Sequence, residues 1–189
     1  MKRSREIVEI IGDVVKATAA GCNIIVSYRD ETSESIECPD INYIFGNSQY
    51  VKDRLDSMSK GNSVNDMKFP LIALFCPFRE QRGVEGLFSK ANVNILIACS
   101  SSKEWSNEER LKRSFQNILR PIYVRLKEEL IADGRIDFGY KGLMPHEYSE
   151  NYSYGRYGAH TGTGEALSEP IDAINISNLE LKIKNPSCR

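Results

Sequence analysis

Apolar residues recur at intervals of three and four from Ile7 onward: Ile7, Ile10, Ile11, Val14, Val15 and Thr18 fall on one stripe. That spacing predicts a helix over residues 4–19, and Gly21 follows as its stop. Asn23 to Tyr28 is rich in β-formers and predicts a strand. Residues 29–40 are polar and end in Cys38-Pro39-Asp40, so they read as a loop or a hairpin tip. Ile41 to Phe45 predicts a second short strand closed by Gly46-Asn47. Ser48 to Met58 places Val51, Leu55 and Met58 on one helical face. Residues 60–68, rich in Gly, Asn and Ser, form a linker.

Phe69 to Phe75 is almost continuously apolar, as expected for a strand buried on both faces, and Pro70 suits its start. Arg79 to Phe88 is polar with two glycines and reads as a connecting loop. Asn92 to Cys99 is a second core strand. The two are close in the chain, so an antiparallel pair is the simplest arrangement. Ser106-Asn107-Glu108-Glu109 is a capping box. It opens a helix whose stripe is Leu111, Phe115, Ile118, Leu119, Ile122, Leu126 and Leu130. Pro121 lies inside the stripe, where it removes one hydrogen bond. A kink near Leu119–Arg120, or two helices end to end, is expected. Ile136 to Tyr140 reads as a short strand, and residues 140–168 as a long Tyr- and Gly-rich loop. Ile171 to Lys184 closes the chain as a strand whose alternation slips between Ile176 and Leu179, the sign of a bulge near Ser177–Asn178. This order predicts an α+β fold. Its sheet is mostly antiparallel with helices on one face, in a single domain spanning residues 1–189.

Charge and cysteine usage narrow the function. Lys plus Arg number 25 against 26 Asp plus Glu, for a net charge of -1. No global basic field is available to hold nucleic acid. No run reaches the roughly 18 apolar residues of a membrane span, and the stretch from Ile7 to Val15 is too interrupted for a signal-peptide core. The five cysteines (Cys22, Cys38, Cys76, Cys99, Cys188) include no C-x-x-C pair. They read as reduced, mostly structural thiols without zinc spacing.

Catalytic signatures are weak. His146 and His160 are the two histidines, and neither has a Ser, Cys or Asp in triad pattern nearby. Gly162-Thr163-Gly164-Glu165 lacks phosphate-loop spacing. Cys99-Ser100-Ser101-Ser102 lacks the nucleophile elbow and reads as a strand-to-helix connection. Glu104, Glu108 and Glu109 complement a helix start. Trp105 takes the staple position before the cap and packs on Arg110 or its neighbours; the sharper alternative is an interface anchor. The stretch carrying Tyr148, Tyr152, Tyr154, Arg156 and Tyr157 offers adaptable contact surface. Stacking on single-stranded bases is the competing use, but only Lys141 and Arg156 are basic within residues 140–164. No catalytic, cofactor or metal residue is expected.

Together these units resemble a known family. The strand Phe69-Pro70-Leu71-Ile72-Ala73-Leu74-Phe75, the strand Val93 to Cys99, the start Trp105 to Arg110 and the turn Leu119-Arg120-Pro121-Ile122-Tyr123 follow in order. This looks like the tail terminator and tail-completion proteins of long-tailed phages, and resembles neck proteins of phages and prophages of gut Bacteroidetes. The resemblance spans roughly residues 1–130, and 171–184 more loosely. It implies a structural virion protein of the tail or neck, assembled in the host bacterial cytoplasm. Its subunits would close into a hexameric or dodecameric homo-oligomeric ring, with other tail and neck proteins as partners. DNA would only pass through the lumen, and no enzyme activity or membrane contact is implied. Ring contacts would fall on the long loops Arg29–Asp40, Arg79–Phe88 (with Arg79 and Arg82) and Tyr140–Ser168. The alternatives are a nucleic-acid-binding module using the tyrosines, or an enzyme of unknown type using His146, His160 or Glu147.

Overall fold

A computed structural model describes residues 6–27, 32–60, 68–82, 88–139, 142–152 and 170–184. The first helix, α1 (Ile7–Ala20), buries the stripe that its spacing predicts. Thr18 donates its hydroxyl to the Val14 carbonyl at 2.8 Å, which satisfies the one polar group on that stripe. Gly21 ends the helix in close contact with Arg125; a Cβ there would sit 2.5 Å from Nη2.

A hairpin follows, β1 (Asn23–Ser27) paired with β2 (Ser33–Glu37), as a separate two-stranded sheet. The polar stretch after Tyr28 therefore includes a strand. Backbone pairing holds it, and only Ile36, opposite Ile24, reaches the core. The main sheet has five strands: β3 (Asn42–Gly46), β4 (Leu71–Arg82), β5 (Phe88–Ser100), β6 (Glu147–Asn151) and β7 (Ile171–Lys184). Their order is β3-β4-β5-β7-β6. Pairing is antiparallel except for β3, which joins β4 in parallel. The fold is α+β with mostly antiparallel strands.

Two irregularities meet on the same level of β5. Cys76, Pro77 and Phe78 all face Val93, because the register passes from Phe75↔Asn94 to Arg79↔Asn92. Pro77 has no N–H to offer a ladder, so the gap suits it. Across β5, Ser177 and Asn178 face Asn94, which is the bulge that the slipped alternation predicts. Asn178 has φ 55°. Its backbone N–H donates to Asn94 Oδ1 at 3.0 Å, so asparagine both supplies the left-handed residue and closes the bulge.

The sheet divides at this level. Before it, Leu71 to Leu74 and Ile95 to Cys99 are buried on both faces. One face meets α1 and the long helix described below. On the other, Val51 and Leu55 of α2 (Ser48–Lys60) pack against Leu71, Ala73, Leu96 and Ala98. Helix α1 and the long helix thus share a face, and α2 covers part of the opposite one. Beyond the bulges, the α2 side of the sheet turns polar. Arg79, Glu80, Gln81 and Arg82 pair with Asn92 to Ser89, so the expected connecting loop from Arg79 begins as a strand arm. A ladder needs backbone partners, not buried side chains, and the composition of this segment gives no sign of it.

The long helix runs through α3 (Asn107–Arg110), a π-helical segment (Leu111–Leu119) and α4 (Arg120–Ala132). Both bonds of the capping box form: Ser106 Oγ accepts from Glu109 N at 3.2 Å, and Glu109 Oε2 from Ser106 N at 2.8 Å. The boundary expected at Leu119–Arg120 is a change of hydrogen-bond register within an uninterrupted helix. Arg120 N–H reaches back to the Phe115 carbonyl, and Pro121 then falls in the first turn of α4, where its missing donor matters least. After Asp133 the chain lies beside β7. The expected strand at Ile136 is reduced to a single bridge to Ile183, flanked by the bonds Asp137 N–H to Lys182 O and Lys184 N–H to Arg135 O, both 2.8 Å.

Candidate assembly surface

Within the expected Tyr/Gly loop, Glu147–Asn151 is strand β6, at one edge of the main sheet. Tyr148 lies opposite Ile176 and Glu150 opposite Ile174, so both face the long helix. Arg120 grips Glu150 with two bonds, Nε to Oε1 at 2.7 Å and Nη2 to Oε2 at 3.1 Å. Tyr148 Oη donates to the same Oε1 at 2.6 Å. The Arg120 guanidinium, helped by the Tyr148 hydroxyl, holds the Glu150 carboxyl below its ordinary range. Burial, with Glu150 beside it, pushes the Tyr148 phenol up.

His146 and Tyr123 continue this clamp. The Met144 carbonyl can only accept, so His146 Nδ1 carries the proton of their 2.7 Å bond. In the neutral ring Nε2 then accepts from Tyr123 Oη at 2.8 Å. Tyr148 meets the Tyr123 ring edge-on at 4.9 Å, and Tyr152 lies 4.5 Å from Phe115. Both nitrogens of His146 are therefore engaged within the fold. His146 and Glu147 also border a groove of about 640 Å³ on the polar sheet face, with Lys90, Asn92, Glu180 and Lys182.

Arg79 and Arg82 sit at the other side of the sheet, exposed on the arm of β4. Arg82 Nη2 bonds Glu80 Oε2 at 3.1 Å. Because β3 pairs only with Leu71–Phe75, no strand among the described residues pairs with the outer side of β4 from Cys76 to Arg82. The outer edge of β6 is likewise unpaired among those residues. Trp105 is half-buried before the helix cap. The guanidinium of Arg113 stands 5.2 Å from its ring, and its carbonyl accepts from Arg110 Nε at 3.3 Å. Tyr154, Arg156, Tyr157 and His160, with Gly162 to Glu165, lie outside the described residues.

One polar cluster escaped the sequence reading. Asp172 is wholly buried on the core-facing side of β7. It accepts from Arg110 Nη1 at 2.8 Å and from Ser101 Oγ and Ser114 Oγ at 2.7 Å each. Arg110 Nη2 also donates to the Ser102 carbonyl. The serine run after Cys99 thus binds the strand end to the helix start. Burial, with Asp172 beside it, pushes the Cys99 thiol well above its ordinary range, which makes it a poor nucleophile. A carboxylate in phase with Ile174 and Ile176 was the available signal, since such a group requires a buried cation. Among the described residues there is no cluster of three or more potential metal ligands, and no helix is long and apolar enough to cross a membrane.

No protein-family model matches the chain, and no curated protein matches it closely enough to count as a relative.

Proposed function

We propose that the chain is a non-catalytic, ring-forming subunit of a phage tail terminator or head–tail neck, joined to its neighbours through two unlike edges of one sheet. The observation that carries this reading is the pair of edges at opposite sides of the five-stranded sheet. One is the β4 arm with exposed Arg79 and Arg82, and the other is β6 with exposed Glu147 and Tyr148. A closed ring requires two different, complementary surfaces on each subunit. An unpaired strand is a ready template for a neighbour's strand. The basic arm and the acidic edge complement one another in charge, which would fix orientation. The clamp of Arg120 on Glu150 holds β6 rigid for such docking.

Light scattering and negative-stain imaging over a concentration series test the proposal. A hexameric or dodecameric ring, or a concentration-dependent approach to one, is the expected result. Arg79→Glu should shift the population to monomer, and adding Glu147→Arg should restore the ring. A ring indifferent to both changes refutes the edge-to-edge contact. A chain that stays monomeric at high concentration and does not add to phage tail tubes refutes the assembly role.

A further inference from the structure

We propose that Cys22 and Cys38 are a redox-sensitive pair whose disulfide staples the β1–β2 hairpin to the end of α1. The placement follows from the register. Asn23↔Glu37 is the outermost pair of the hairpin. One step further out, Cys38 N–H donates to the Cys22 carbonyl at 2.9 Å, so the two cysteines stand opposite each other. Directly opposed residues of an antiparallel pair have Cα atoms roughly 4.5–5.5 Å apart, within the roughly 4.4–6.8 Å that a disulfide spans. Both sulfurs lie against the same short piece of backbone. Cys38 Sγ contacts the Ala20 carbonyl at 3.1 Å, and Cys22 Sγ the Asn23 carbonyl at 3.9 Å. Cys38 has φ 51°, which takes it out of the regular pleat as it passes the end of α1.

The two thiols differ in access, and this assigns their roles. Cys38 is exposed and meets an oxidant first; Cys22 is buried. Burial pushes the Cys22 thiol up and slows its attack, with Arg125 opposing; access, not reactivity, gives it the resolving position. With hydrogen peroxide as oxidant, Cys38 becomes a sulfenic acid and one water leaves. The Cys22 sulfur then attacks the sulfenic sulfur, the S–S bond forms, the S–O bond breaks and a second water leaves. Two thiols and one peroxide give one disulfide and two waters, with both electrons ending on peroxide oxygen. Cys99, by contrast, is sealed in the core. A chain moving from a reducing to an oxidising compartment would gain the staple without refolding.

The folded full-length chain tests this directly. It is treated with stoichiometric peroxide, alkylated and digested with trypsin without reductant. Cleavage after Lys16, Arg29 and Lys52 puts the two cysteines on separate peptides. The expected product is a single cross-linked species, two hydrogens lighter than the reduced pair and released by dithiothreitol. Its formation should raise Tm by about 6–12 °C, and Cys38→Ser should abolish both the link and the shift. The wild-type peptide map does not depend on any variant folding. The proposal is overturned if both thiols remain alkylatable after oxidation, or if Cys38 links instead to another cysteine or to a second chain.

Discussion

Replacing Asp172 with Val leaves a guanidinium sealed in the core with no counter-charge. The side chains of Arg110 and Asp172 are 5% and 0% exposed, so water cannot compensate for a lost partner. Breaking such a pair from one side costs about 3–5 kcal/mol, a large share of the roughly 5–15 kcal/mol that holds a typical domain together. For a chain of this size each kcal/mol lowers Tm by about 2–4 °C. Asp172→Val and Arg110→Met should therefore each lower Tm by roughly 6–20 °C. The double variant removes both charges. It leaves Ser101 and Ser114 without their shared acceptor but no stranded ion, so it should cost no more than the worse single change. The coupling from a double-mutant cycle in urea should exceed about 2 kcal/mol. Additive losses, or single losses under about 1 kcal/mol, would refute the reasoning that a desolvated ion pair links β7 to the helix start.

Further tests address the bulge and the β6 clamp. Asn178→Val should cost about 1–2 kcal/mol, because a β-branched residue is strained at φ 55°; Asn178→Gly, which keeps the backbone N–H that donates to Asn94, should be close to neutral in urea unfolding. The Glu150 carboxyl is depressed in the folded chain, so its contribution is present above the unfolded value and is lost as pH falls through the folded one. The stability gap between wild type and Glu150→Gln should thus narrow as acid is added, and a gap that widens in acid contradicts the assignment. Tyr123→Phe should cost about 1 kcal/mol by removing the donor to His146 Nε2, with no loss if the bond is immaterial.

Local rules of spacing were enough to locate α1, the capping box, the double-sided burial of Leu71 to Leu74 and the bulge at Ser177–Asn178. Each depends on residues within a few positions of one another, where periodicity and side-chain chemistry act directly. The candidate surface was legible only in part. The tyrosines marked the segment around Tyr148 as unusual, but its identity as an edge strand comes from β7, some 25 residues onward. The β4 arm was hidden for the same reason, since polar residues on a strand with a solvated face resemble a loop. Asp172 was hidden because its partner Arg110 lies 62 positions away. Pro121 marked where the long helix would change. Packing decided the form of that change, because a π register keeps the helix whole while Phe115 and Leu119 stay in the core. Sequence thus determined which stretches bury which faces. The tertiary fold decided which polar groups meet, because a buried charge or an unpaired strand finds its partner through space and leaves no local period to read.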